Sequence, residues 1–175
     1  MKQRSVVLCG FMACGKSEAG KLLAAECGMD YIDTDIEAEC MAGMTIPEMF
    51  ERFGEDYFRA AEHEAAVRLA ERVSLSGSSA VISTGGGFVT RRENFEVFSA
   101  DQFLTVWIDR DPALCFGEVT ADAGRPLGFG KSREELLQLY EVRKPLYEAF
   151  SRFKVTNDTS LRECVRKIKE YIECS

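Results

Sequence analysis

Short apolar runs alternate along this chain with longer stretches in which apolar residues recur every three or four positions. The first pattern marks buried strands and the second amphipathic helices. Ser5-Val6-Val7-Leu8-Cys9 predicts a buried strand, followed by a glycine-rich turn and a helix from Lys16 to about Cys27. Asp30-Tyr31-Ile32-Asp33 predicts a second short strand, and from Ile36 to about Val73 the pattern is helical, punctuated at Gly43, Pro47 and Gly54. Ala80 to Thr84 predicts a third strand that stops at Gly85-Gly86-Gly87, Phe103 to Ile108 a fourth and Phe153 to Thr156 a fifth. A helix from Leu161 to Ile172 closes the chain. Strands alternating with helices are joined by right-handed crossovers, which predicts an α/β fold of three layers with a central, mostly parallel five-stranded sheet flanked by helices. No repeat, low-complexity tract or linker divides the 175 residues, so one domain over 1–175 is expected. The stretch from 117 to 132, with glycine at 117, 124, 128 and 130, is expected to be a mobile loop.

Composition narrows the partners. Twenty-two basic against 29 acidic residues give a net charge of -7, without the basic face that a long polyphosphate partner requires, so nucleic acid is not expected. The apolar runs fall well short of the roughly 20 residues that cross a bilayer, and Val6-Val7-Leu8-Cys9 is too short for a signal-peptide core. Seven cysteines without a CxxC pair, beside a single histidine, argue against zinc and suit a reducing cytoplasm. A cytoplasmic monomer with no membrane partner is the expectation.

The candidate chemistry begins at Gly10-Phe11-Met12-Ala13-Cys14-Gly15-Lys16-Ser17, which satisfies G-x-x-x-x-G-K-[ST] between a predicted strand and a predicted helix. The glycines let successive N–H groups turn inward on a phosphate at the positive end of the helix. Lys16 supplies a cation to the β/γ-phosphates, and Ser17 a hydroxyl to Mg²⁺. The expected class is a P-loop nucleoside triphosphate-binding fold. The chain lacks an N/T-K-x-D guanine-reading segment and the length of a motor, which leaves a small-molecule kinase in front.

Such a kinase needs groups that hold an acceptor hydroxyl in line with the γ-phosphate and take its proton. Asp33-Thr34-Asp35 stands at the C-terminal end of the second strand, the edge where α/β sheets bind ligands. If the segment is extended, the two carboxylates serve different partners, one Mg²⁺ and one the acceptor; the competing reading is a helix N-cap in an acidic first turn. Gly85-Gly86-Gly87 offers bare backbone at another strand end, or merely a turn. Arg59 lies one helical turn from Glu62, which also reads as a surface ion pair. Arg125 falls in the glycine-punctuated loop and Arg143 on a long helix ahead of Pro145. Singly, each arginine reads equally well as a solvated charge.

Together the motifs are specific. The phosphate loop, Asp33-x-Asp35, Phe58-Arg59-x-x-Glu62, Gly85-Gly86-Gly87, Arg125-Pro126-Leu127 and Arg143-x-Pro145-Leu146-Tyr147 follow the order and approximate spacing of the shikimate kinases. The resemblance runs from Ser5 to Ile172 and implies ATP-dependent phosphorylation of the shikimate 3-hydroxyl, on the route to chorismate and the aromatic amino acids. It implies that Ala13, Cys14, Gly15, Lys16, Ser17, Glu18 and Arg125 hold ATP, and that Ser17 and, through water, Asp33 hold Mg²⁺. It implies Asp35 as base, with Lys16 and Arg125 stabilising the transferred phosphoryl. Arg59 and Arg143 would clamp the shikimate carboxylate while Gly85, Gly86 and Gly87 meet its hydroxyls. Residues about 34–62 would form a substrate-binding insertion and about 117–132 the lid.

The chain departs from the family pattern in places. Ala13 replaces the middle glycine of the loop and is followed by Cys14, either a small space-filler or an oxidation-sensitive thiol. Ala113-Leu114-Cys115-Phe116 occupies the region of the family's adenine-stacking arginine, leaving Phe116 as the candidate, and Gly128-Phe129-Gly130 makes for a flexible lid. The rivals are a gluconate or nucleoside monophosphate kinase of the same fold and a non-catalytic ATP-binding module.

Overall fold

Strand β1 (Ser5–Cys9) is buried along its whole length, which is why it carries no polar alternation. In the computed structural model, which describes residues 4–121, 128 and 130–174, β1 is the middle of a five-stranded sheet in the order β2-β3-β1-β4-β5. The other strands are β2 (Asp30–Asp33), β3 (Ala80–Ser83), β4 (Phe103–Asp109) and β5 (Phe153–Thr156). Every pairing is parallel, so the sheet is wholly rather than mostly parallel.

Around it, among the described residues, lie α1 (Lys16–Cys27), α2 (Thr34–Ala42), α3 (Ile46–Phe53), α4 (Glu55–Ser76), α5 (Asn94–Val97), α6 (Pro112–Ala121), α7 (Arg133–Phe150) and α8 (Leu161–Cys174). The single helical stretch expected from Ile36 to Val73 is cut into three at the anticipated breakers. Gly43 ends α2 in the left-handed conformation, Thr45 and Glu48 form a capping box that brackets Pro47, and Gly54 separates α3 from α4. The short turn Phe88–Thr90 and α5 escape the periodicity because each is too brief to show one.

Register places the faces. Leu8 pairs with Val106 and Cys9 with Trp107, so alternation sends these two rows to opposite sides of the sheet. Leu8 packs beneath Gly20 of α1, whereas Trp107 stacks on Tyr147 of α7 with ring centroids 5.9 Å apart. Helices α1 and α8 therefore cover one face and α7 the other, giving the three layers. The core is continuous through Val6, Val81, Ile82, Leu104, Val106 and Ile108, each at most 1% exposed. Among the described residues no helix is long and apolar enough to cross a membrane.

Because all strands run the same way, their C-terminal ends share one edge of the sheet. The residues that directly follow them, Gly10, Thr34, Thr84, Arg110 and Asn157, are gathered there.

Candidate active site

A cleft of about 540 Å³ opens along that edge. Its floor is the phosphate loop. Gly15 takes φ 90°, and a side chain there would overlap the Asn157 amide, so both conformation and space demand glycine. Ala13 takes φ 57°, alone among the described non-glycine residues in having a positive φ; a left-handed alanine costs roughly 1–2 kcal/mol. Its carbonyl accepts from Arg110 Nη1 at 2.8 Å, and the Cys14 carbonyl accepts from Asn157 Nδ2 at 2.9 Å. Lys16 Nζ sits inside the loop, donating to the carbonyls of Gly10 (2.9 Å) and Phe11 (2.8 Å). Cys14 is fully buried, with Sγ packed against Gly10 and 3.7 Å from Lys16 Nζ, which favours the space-filling role over an exposed sensor thiol. Glu18, exposed on the first turn of α1, also borders the cleft.

The Asp-x-Asp segment differs from its expected extended form. Asp33 ends β2 with φ -113° and caps α2, its Oδ1 accepting from the Asp35 N–H at 3.0 Å and its Oδ2 from the Tyr31 hydroxyl at 3.1 Å. Asp35 is in the first turn of α2, because an aspartate cap with two acidic residues behind it starts a helix. Its Oδ1 is sealed from solvent and lacks a hydrogen-bond partner. Burial, and then the nearby Glu62 and Asp33 carboxylates, push its pKa up to about 7 despite Lys16 and Arg59. Glu62 is fully buried, and burial outweighs Arg59 in holding its carboxyl above the usual range.

The surface ion-pair reading of Arg59 gives way to a buried one. Arg59 is 9% and Glu62 0% exposed, and α4 turns both toward the sheet edge. Nη1 of Arg59 donates to Glu62 at 2.7 Å, and Nε and Nη2 to Glu55 at 3.2 Å each, so two of its five N–H donors remain for a ligand. Burial opposes the charge, but Glu62 and Glu55 more than restore it and raise the pKa. Arg143 on α7 is 4% exposed, with Nη1 3.4 Å from the Gly86 carbonyl and Nε without a partner. Among the described residues it makes no ion pair, and burial draws its pKa down. A sealed guanidinium without its own carboxylate is a buried charge left uncompensated, which is costly.

The glycine triplet is there as much for the protein's side chains as for a ligand. A Cβ on Gly85 would overlap Glu62 and stand 2.6 Å from Asp35 Oδ1; on Gly86 it would press on Met12 of the phosphate loop at 3.1 Å; on Gly87 it would overlap the Arg59 guanidinium. The Gly85 N–H already donates to Thr34 Oγ1 at 3.3 Å, so it is less available to a substrate hydroxyl than expected. The Gly86 carbonyl is fixed by the Tyr147 hydroxyl at 2.5 Å.

The cleft thus has an acceptor half (Asp35, Arg59, Glu62, Gly85, Gly86, Gly87, Arg143, walled by Ile46, Phe50 and Phe58), the phosphate loop in the middle, and an end formed by Arg110 and Asn157–Leu161. Phe116 is buried in the core on α6 and does not line the cleft; Arg110 stands at that end instead. Arg125 lies outside the described residues, as does part of the expected lid, whose first residues, 117–121, continue α6 instead of forming a loop. The oxygen set suits magnesium brought by phosphates. Ser17 and Asp33 face the cleft, Asp33 oxygens keep acceptor capacity for a bridging water, and no group of three or more histidine, cysteine or acidic side chains forms a protein-built metal cage among the described residues. Sequence reasoning missed Arg110 and Asn157 as site residues and took Glu62 only as an ion-pair partner. The available signal was position, since 110 and 157 directly follow strand ends.

A parallel sheet, an anion-binding loop at its C-terminal edge and an acid-base group facing it define a P-loop phosphotransferase. The shikimate kinase family model matches residues 12–173, and the chain belongs to that family. It is 38% identical over 170 residues to a shikimate kinase from Clostridium beijerinckii (97% of this chain, 95% of the relative), and 32% identical over 166 residues to that of Macrococcus caseolyticus (95% of each). The solved shikimate kinase from Acinetobacter baumannii in complex with shikimate superposes with a TM-score of 0.88 at 30% identity, covering 98% of this chain and 93% of that one.

Proposed function

We propose that this enzyme transfers the γ-phosphoryl group of ATP to the 3-hydroxyl of shikimate, giving ADP and shikimate 3-phosphate. The observation that carries the reading is that two buried arginines and a carboxylate with a sealed, unpartnered oxygen face the phosphate loop across one cleft.

Shikimate enters the acceptor half. Its carboxylate meets Arg143 and the two remaining donors of Arg59, which fix the ring by charge and by fork geometry. Asp35 Oδ1 accepts the proton of the reacting hydroxyl as the oxygen–phosphorus bond forms and the bond to the ADP oxygen breaks. A pKa of about 7 keeps this carboxylate close to neutral pH, where a general base is most effective. Lys16, already inside the loop, stabilises charge on the transferred phosphoryl with the loop N–H groups, and Arg125 joins it from the lid at about 117–132. Ser17 and, through water, Asp33 would hold Mg²⁺, which neutralises charge on the phosphate oxygens when bound. Residues about 34–62 act as the substrate-binding insertion, α3 lending Ile46 and Phe50 as an apolar wall. The nucleoside lies toward Arg110 and Asn157, the end opposite the acceptor.

Product analysis by ³¹P and ¹H NMR after incubation with Mg·ATP and shikimate tests the assignment. One phosphomonoester at the 3-position, formed as ADP appears, is expected. Phosphate at another hydroxyl, or inorganic phosphate alone, contradicts it.

A further inference from the structure

The phosphate loop of this chain carries an alanine where its backbone turns left-handed, and something must hold that turn. The carbonyl of Ala13 meets the end of β4, where Arg110 Nη1 donates to it at 2.8 Å and Cys115 Sγ approaches to 3.6 Å. The next carbonyl, of Cys14, is held by Asn157 at 2.9 Å from the end of β5. In a trans peptide the N–H points opposite to the C=O, so anchoring these two carbonyls also sets the direction of the Cys14 and Gly15 N–H groups. The Cys14 N–H closes the turn on Phe11 at 3.3 Å, and that of Gly15 is turned away from Asn157.

The anchor is tied into the sheet. Asp109, beside Arg110, accepts from the Tyr140 hydroxyl at 2.8 Å and from Lys154 at 2.8 Å, and its carbonyl accepts the Asn157 N–H at 2.8 Å. The two residues that hold the loop are therefore tied to each other through β4 and β5.

We propose that Arg110 is a positioning residue for phosphate binding: from the end of β4 it holds the Ala13 carbonyl and so keeps an alanine in the left-handed turn that the anion-binding loop requires. The proposal rests on the reading of the loop as the nucleotide site. A glycine at 13 adopts that conformation without strain and needs the anchor less. The two residues should therefore be coupled, whereas an arginine that acted on the nucleotide directly would matter equally with either residue at 13.

The test is a double-mutant cycle read by calorimetric titration of MgADP, with shikimate affinity measured in parallel. Arg110→Met is expected to weaken MgADP binding about tenfold in the native background and by less than about threefold in the Ala13→Gly background. Shikimate affinity should stay within about twofold in each case. Equal losses in the two backgrounds overturn the proposal, as does an undiminished affinity in Arg110→Met. Arg110→Lys, which retains the charge but not the fork, serves the same cycle should the methionine variant not fold. A native chain that does not bind MgADP at all overturns the nucleotide reading on which the proposal stands.

Discussion

Asp35 owes its chemistry to its surroundings. An aspartate in the first turn of a helix would ordinarily be a stabilised anion, yet here one oxygen is sealed in without a partner, beside a second buried carboxylate. Its position marked it as a candidate in the sequence. Its partnership with Glu62 did not show, because Glu62 is 27 positions away on another helix and its local pattern matched an ordinary ion pair with Arg59. A carboxyl whose folded pKa is raised to about 7 binds a proton that the unfolded chain has released, so its contribution favours folding at low pH. That contribution is complete below the unfolded value near 4 and is lost as pH rises to about 7. Asp35→Asn removes the titration. The variant is expected to melt several degrees above the native chain at pH 8, the difference shrinking toward pH 4, while turnover drops by orders of magnitude and ATP affinity holds. Thermal melts across pH with steady-state kinetics check this; a variant less stable than the native chain at pH 8 contradicts the burial argument.

At the scale of elements, strands and long helices were legible because their apolar periodicity is strong and their ends carry glycine, proline or a capping box. The predicted α1 and β5 agree with the observed Lys16–Cys27 and Phe153–Thr156. What periodicity could not express was how elements face one another. The triplet Gly85-Gly86-Gly87 read as bare backbone for a ligand, whereas its tightest neighbours are Asp35, Glu62, Met12 and Arg59, brought to it from α2, α4 and the phosphate loop. Gly87→Ala tests that packing. Its methyl group would push the Arg59 guanidinium aside and lose a charge-assisted contact worth roughly 1.5–3 kcal/mol, so the KM for shikimate should rise at least tenfold. The KM for ATP should stay within about twofold, and parallel rises in both would show a general disturbance of the sheet edge.

Across the whole molecule, one topological fact assembles the site. Five parallel strands end on one edge, where Gly10 opens the phosphate loop and Thr84, Arg110 and Asn157, the residues after β3, β4 and β5, line the cleft. Function was legible here because phosphoryl transfer needs few covalent tricks and much positioning, which leaves its mark as spaced motifs. The anchors Arg110 and Asn157 were not, since single residues after strand ends form no motif. The same geometry sets the acceptor. A nucleotide acceptor would need a second base pocket, whereas the acceptor half ends in Ile46, Phe50 and Phe58. The most direct measurement is ADP release from Mg·ATP with shikimate, gluconate, a nucleoside monophosphate or no acceptor. Fast release with shikimate, at least a hundredfold above every other arm, is the predicted result. Equal, slow release in all arms would contradict the acceptor side and leave only a nucleotide-binding loop.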